Sequence, residues 1–254
     1  MPELTASGAP GDTPALRFTK VRKSYGRLQA LAGITLEVRR GEFFGLIGVN
    51  GAGKTTLLKC LLDFCEIDGG RIAIFGTPHT VTAARSRLAY LPERFNPPFY
   101  LTGRDFLRYM ARLYRAAYDE KAVERAFQAL DLDLAALAKP VRSYSKGMTQ
   151  KLGLAACLLS GKELHVLDEP ASGLDPKARA LFKRELARLR AGGRTVFFSS
   201  HALPEVEQLC DRIGVLHDGM LRFAGTPDEL RRGFGNARDL EQAFLACIGE
   251  PLSA

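Results

Sequence analysis

An α/β fold built on a mostly parallel sheet is predicted by three features of this 254-residue chain. Short apolar runs alternate with longer segments whose apolar residues recur at helical spacing, the pattern of strands buried on both faces and the helices that connect them. One run, Phe43 to Ile47, feeds a glycine-rich loop and then a helix. Another, Leu164 to Leu167, ends in two consecutive carboxylates, Asp168 and Glu169. Ligands gather at the carboxyl ends of parallel strands, so the last two features predict one site.

The loop reads Gly48-Val49-Asn50-Gly51-Ala52-Gly53-Lys54-Thr55-Thr56 and fits the phosphate-binding pattern G-x-x-x-x-G-K-[ST] at Gly48, Gly53, Lys54 and Thr55. Backbone N–H groups wrap a polyphosphate only where no side chain blocks the approach, so Gly48, Gly51 and Gly53 are expected to keep the loop open. Asn50, Ala52 and Thr56 complete the cradle. Lys54 supplies a point charge for the β- and γ-phosphates, and Thr55 a hydroxyl for Mg²⁺. The helix that starts here aims its positive end at the anion. The stretch is a candidate nucleoside triphosphate site.

Composition bounds the rest. A hydrophobic content of 46% supports one large domain with a sizeable core. No apolar run approaches the roughly 18 residues that span a bilayer, and Met1 to Pro14 lacks signal-peptide character, so an intracellular, non-spanning protein is expected. The net charge of +8 favours anionic partners without choosing among nucleotides, membrane surfaces and nucleic acid. Five scattered cysteines read as reduced core thiols, and the four histidines lack metal-ligand spacing.

In order, residues 1 to about 15 have tail composition. Leu16 to Val21 and Ile34 to Val38 read as strands flanking a turn at Lys23 to Gly26, where Tyr25 is exposed, either as an ordinary turn aromatic or as a contact residue. Arg71 to Phe75 and Arg87 to Leu91 are further strands, the second running into Pro92 and Glu93. A capping-box start at Thr102 to Asp105 opens a helix with Phe106, Met110 and Leu113 on one face. Arg104, Arg108, Arg112 and Arg115 share another face, which is either solvated or turned to a partner or acidic lipid headgroups. Glu120 to Leu130 is a second helix, followed by an irregular stretch to Pro140.

Tyr144-Ser145-Lys146-Gly147-Met148 opens a long helix to Leu159. After the Asp168-Glu169 strand, Asp175-Pro176 starts another helix, closed by Gly192-Gly193. Arg194 to Ser199 is a strand with His201 just past its end. Arg212 to His217 and Met220 to Ala224 form a hairpin through Asp218-Gly219. A short capped helix at Thr226 and an amphipathic one from Asp239 to Ile248 close the chain. A carboxylate pair at a strand end suits nucleotide hydrolysis: Asp168 is assigned to the metal and Glu169 to the attacking water. On its own such a pair is common as a turn or helix cap, and it is the phosphate loop more than a hundred residues upstream that gives it weight.

Taken together, Gly48 to Thr56, Tyr144 to Met148, Leu164 to Pro170, Ser172 to Asp175 and Ser200-His201, in this order, resemble the ATP-binding subunit of ABC transporters over residues 16 to about 235. The resemblance implies a P-loop NTPase core, an N-terminal antiparallel β part, a helical subdomain at about 94–141 and a C-terminal helix over 236–254. It implies that two cassettes close face to face, as a homodimer, with ATP and Mg²⁺ between the phosphate loop of one and the Ser145-Gly147 segment of the other. In that reading Tyr25 stacks on adenine, His201 contacts the γ-phosphate, and Asp175 links the two sites.

Three residues depart from the family pattern. Glu93 stands where the family has glutamine and keeps an oxygen for Mg²⁺ without an amide donor. Met148 replaces the signature glutamine, and His165 interrupts an apolar strand as a packed or edge residue. Glu93, the Tyr144 to Met148 signature and Leu101-Thr102-Gly103 at the start of the helical insert resemble the exporter-type branch that works with a separate integral-membrane permease, at the cytoplasmic face of the membrane, with the helical insert and the Glu93 loop gripping the permease. The alternative is a soluble relative acting on ribosomes or nucleic acid. No nucleic acid is expected on the first reading, because the chain has neither paired cassettes nor coiled-coil insertions.

Overall fold

The computed structural model describes residues 13–235 and 237–249. The expected tail, 1 to about 15, lies mostly outside them, and its last residues depart from expectation. Pro14 and Ala15 are buried, and the Ala15 carbonyl accepts the Phe75 N–H, so the packed chain starts earlier than composition implies.

In chain order the strands are β1 (Leu16–Tyr25), β2 (Leu28–Val38), β3 (Phe43–Ile47), β4 (Gly69–Ile74), β5 (Thr77–Pro78), β6 (Leu88–Leu91), β7 (Leu164–Asp168), β8 (Thr195–Ser200), β9 (Arg212–His217) and β10 (Met220–Gly225). The helices are α1 (Lys54–Leu61), α2 (Thr82–Arg85), α3 (Gly103–Tyr114), α4 (Glu120–Ala129), α5 (Lys146–Leu158), α6 (Pro176–Ala191), α7 (Leu203–Leu209), α8 (Pro227–Gly233) and α9 (Leu240–Ile248). Six strands form one sheet in the order β10-β9-β3-β8-β7-β6, parallel except for β10. Every residue of β3, β7 and β8 is buried, as their continuous apolar runs require. In register, Ile47 lies beside Ser200 and Asp168 beside Ser199, which brings the carboxyl ends of three strands to one edge.

The second sheet is antiparallel, in the order β2-β1-β4-β5. Here the expected turn shrinks. β1 continues through Lys23 and Ser24 to Tyr25, paired with Leu28 to Leu31 of β2, and the reversal falls on Gly26-Arg27 with Gly26 at φ +59°. Cross-strand pairing and the carboxylate of Asp68, which accepts from Lys23 Nζ and the Ser24 N–H, hold polar residues extended that in isolation read as a turn.

Around α3 three expectations change. The Thr102 hydroxyl accepts the Asp105 N–H, but its own proton goes to the Asp105 carboxylate, so only half of a capping box forms; the reciprocal box occurs at Thr226 and Glu229. Phe106 and Leu107 are buried, whereas Leu113 is 58% exposed at the helix end. Arg115 leaves the helix as its left-handed C-cap. Of the remaining arginines, Arg104 bonds Glu120 at 2.8 Å and Arg108 lies over the Tyr118 ring, so these two staple α3 to the start of α4. The short helices α2 and α7 were not foreseen.

His165 is a packed residue of β7, as read from the sequence. Both ring nitrogens are buried without a hydrogen-bond partner, and burial pushes the imidazole down to about 4. The unfolded chain takes up its proton near pH 6.5 and the folded chain does not until about pH 4, so stability present above pH 6.5 is lost as pH falls through that window. His165→Leu is expected to remove up to about 3 kcal/mol of this acid sensitivity, read as the difference between wild-type and variant urea unfolding at pH 7 and pH 4.

Candidate functional site

The glycine loop lies where the two sheets meet. A Cβ on Gly48 would fall 2.3 Å from the Leu216 carbonyl oxygen of β9, and one on Gly53, at φ +109°, 2.6 Å from the Ala30 carbonyl oxygen of β2. These two glycines are therefore required by close backbone approach, a different reason from clearance for phosphate. Gly51, at φ +84° with open space around it, fits the expected reason. The Asp218-Gly219 turn ties the loop down further: the Gly219 N–H donates to the Ala52 carbonyl, and the Gly219 carbonyl accepts the Ala32 N–H.

Lys54, the first residue of α1, is buried and donates to the carbonyls of Gly48 (2.7 Å) and Val49 (3.2 Å). Burial lowers its ammonium below the usual lysine range against the pull of Glu169, Asp168 and Glu93. Asp168 sits at the end of β7 with Thr55 Oγ1 at 3.5 Å from its Oδ2 and Ser199 donating to its Oδ1. Burial raises the Asp168 carboxyl, the Ser199 hydrogen bond opposes the shift, and the charges of Glu93 and Glu169 add to it.

Glu169 follows in the left-handed region at φ +48°, unusual for a residue with a Cβ. Its N–H is held by both the carbonyl (3.2 Å) and the hydroxyl (3.0 Å) of Ser199. His201 Nδ1 stands 2.9 Å from Glu169 Oε2. Ser199 therefore holds the Asp168 carboxylate and the Glu169 backbone, while His201 meets the Glu169 carboxylate; the sequence signal was a pair of polar residues at the end of a buried parallel strand.

These groups share one cleft of about 640 Å³. Tyr25, Asn50 to Thr56, Glu93, Asp168, Glu169 and His201 all line it. Gly48 lies at its base as the acceptor for Lys54. Reasoning from sequence missed Leu28, Gln29, Ala30, Asp218 and Gly219, which close the wall beside Tyr25. The hydroxyl and carboxylate oxygens of Thr55, Asp168 and Glu93 are a donor set for a hard cation. Among the described residues no group of three or more His, Cys, Asp or Glu makes a self-sufficient metal cage. The donor set of Thr55, Asp168 and Glu93 suits Mg²⁺, which keeps waters and takes phosphate oxygens as further ligands.

Ser145, Gly147 and Asp175 are not among the residues lining the cleft. Ser145 is the N-cap of α5, accepting the Met148 N–H at 3.2 Å, and Asp175 is the N-cap of α6, accepting the Ala178 N–H at 2.8 Å. The two helix starts adjoin: a Cβ on Gly147 would lie 3.8 Å from the Gly173 carbonyl oxygen. A second hollow, of about 620 Å³, is lined by Phe64, Tyr90, Met110, Leu113 and Tyr114.

A glycine loop opening a helix at the carboxyl edge of a parallel sheet, with a buried carboxylate pair on a neighbouring strand, defines a P-loop nucleoside triphosphatase. The family model described as ABC transporter matches residues 31–172, and the chain belongs to that family. It is 41% identical over 230 residues to an uncharacterised ABC transporter ATP-binding protein of Nostoc sp. strain PCC 7120, covering 86% of this chain and 69% of that one. It is 37% identical to the Nod factor export ATP-binding protein I of Ralstonia nicotianae, covering 87% and 70%. Among solved structures, the ATP binding subunit of an ABC transporter matches with a TM-score of 0.84 at 31% identity, over 92% of this chain and 99% of that one. The chain is an ATP-binding, ATP-hydrolysing subunit of this family, and the relatives favour transport over the ribosome or nucleic-acid alternative.

Lys54→Ala is expected to weaken ATP binding and to abolish turnover, measured by calorimetric titration and by phosphate release. Hydrolysis at the wild-type rate would remove Lys54 from the site.

Proposed function

We propose that this chain hydrolyses ATP as one of two identical cassettes closed face to face, and so drives a separate integral-membrane permease of the exporter type. The observation that carries the reading is the division of the site. The cleft is lined by the nucleotide-facing candidates other than Gly48, which lies behind Lys54, and Ser145, Gly147 and Asp175; those last three cluster at two adjoining helix starts elsewhere on the same chain. A second copy supplies what each cleft lacks, with the N-terminus of α5 facing the γ-phosphate across the interface.

Within a closed site the roles follow from position. Tyr25 stacks on adenine, and Lys54 turns from the loop carbonyls to the β- and γ-phosphates. Thr55, Asp168 and Glu93 hold Mg²⁺, which when bound neutralises charge on those phosphates. Glu169 accepts a hydrogen bond from water and orients it for in-line attack on γ-phosphorus, with the β–γ bridging oxygen leaving. The Ser199 bonds to the Glu169 N–H fix the backbone from which that carboxylate projects. His201 reaches the γ-phosphate. Asp175 links the two clefts.

For the permease, the hollow between the segment after the phosphate-loop helix, α2 and α3, which also carries Arg85, Arg115 and Lys162, offers Phe64, 67% exposed, and Leu113 as anchors. No helix among the described residues is long and apolar enough to cross a membrane, so attachment through this surface at the cytoplasmic face suits a peripheral subunit. The helical region at about 94–141 then carries the contact. Export agrees with the name of the Ralstonia relative.

Glu169→Gln is expected to bind ATP while turnover drops by at least about a hundredfold, and to accumulate as dimers in ATP and Mg²⁺. Affinity purification of this variant from detergent-solubilised cells should bring down a polytopic membrane protein in stoichiometric amount. Ribosomal proteins or nucleic acid without a membrane partner would overturn the reading. Leu113→Glu in the same background should lose the membrane protein yet keep ATP affinity, since Leu113 does not line the nucleotide cleft.

A further inference from the structure

The cysteines are not all scattered. Cys60 lies on the buried face of the phosphate-loop helix, and Cys65 is half-buried in the segment that follows; their sulfur atoms are 3.5 Å apart. The Tyr25 phenol donates to Cys65 Sγ at 3.6 Å. Farther along, the Asp68 N–H donates to the Arg22 carbonyl, while the Asp68 carboxylate holds Lys23 and Ser24. The segment from Cys65 to Asp68 thus clasps the end of β1 and sets where the Tyr25 ring stands on the cleft wall. The same helix that presents Lys54 and Thr55 carries Cys60.

We propose that Cys60 and Cys65 are a modification site, a thiol pair that a hydroperoxide converts to a disulfide, and that this closure moves Tyr25 and weakens nucleotide binding. The binding consequence rests on Tyr25 serving as the adenine platform. The more accessible Cys65 reacts first as its thiolate: its sulfur attacks one peroxide oxygen, the O–O bond breaks, and the departing hydroxide takes a proton to leave as water. Cys65 is then a sulfenic acid. Cys60 sulfur attacks Cys65 sulfur, the S–O bond breaks, and the hydroxide released combines with the Cys60 proton as a second water. Two thiols lose two electrons and the peroxide gains them. A dithiol reductant reverses the step by exchange.

Geometry makes the consequence local. A disulfide holds its sulfurs about 2.0 Å apart, so the pair closes by roughly 1.5 Å, and Tyr25 loses its thiol acceptor. Burial pushes the Cys60 thiol up to about 12, which disfavours it as the first attacker; its place in the second step follows from the 3.5 Å between the two sulfurs.

The test uses the full chain, reduced and then exposed to hydrogen peroxide, with thiols alkylated after denaturation and mapped by mass spectrometry. The expected product is a peptide linked through Cys60 and Cys65 and lighter by two hydrogens, with Cys157, Cys210 and Cys247 still alkylated. Calorimetric ATP titration should show affinity reduced several-fold, restored by dithiothreitol and insensitive to peroxide in Cys65→Ser. Cys60→Ala should stop at a Cys65 sulfenic acid that dimedone traps, which checks the order of attack in a second variant. Absence of the linked peptide, or equal ATP affinity before and after its formation, overturns the proposal. Tyr25→Ala separates the two readings. If that variant binds ATP normally, the platform role fails and with it the binding consequence. If it binds weakly while the oxidised wild type does not, the switch fails alone.

Discussion

The arrangement depends on the phosphate loop being wedged, with no room for a single side-chain carbon, between a carbonyl of the parallel sheet and a carbonyl of the antiparallel one. Leu216 stands on one side and Ala30 on the other. Because glycine is the residue without a Cβ, Gly48 and Gly53 let two sheets of different construction share one joint. The hairpin turn at Gly219 completes it by bonding the loop and β2 at once. The Tyr25 wall of the cleft, which belongs to the antiparallel sheet, and the Asp168 side, which belongs to the parallel one, are therefore aligned by backbone contacts that no rotamer change can loosen.

Beyond the joint, precision comes from one serine. Ser199 is fully buried in β8, beside β7, and holds both neighbouring acidic residues by different means, through its hydroxyl proton to the Asp168 carboxylate and through its oxygens to the Glu169 backbone. The second contact holds Glu169 in a left-handed conformation that a free chain seldom visits. Strain kept by hydrogen bonds at a site, rather than in the core, lets the last residue of β7 and the one after it present their carboxylates differently.

Much of this was legible in the chain. The glycine loop, the carboxylate pair and His201 are local words, each set by a strand that ends, and the register of β3, β7 and β8 only had to bring those ends together. What escaped is what depends on distant partners. The extension of β1 through Tyr25 needs β2 and Asp68; the wall residues Leu28, Gln29 and Asp218 need the meeting of two sheets; and Cys60 with Cys65 needs the chain to double back after α1. Leu113 illustrates the limit of helical periodicity. The pattern counts it with Phe106 and Met110, but the helix overshoots the surface that covers them and leaves Leu113 at the rim of a hollow.

Glu93, Asp168, Glu169 and Asp218 face the cleft, and Lys54 is the one ammonium or guanidinium among its described lining residues. Four carboxylates against a single lysine make a poor host for a free tetra-anion, even with loop dipoles turned toward it. Nucleotide and counter-cation should thus behave as a single ligand, entering and leaving together. The apparent affinity of the site is then a property of the solution's divalent ion activity as much as of the protein.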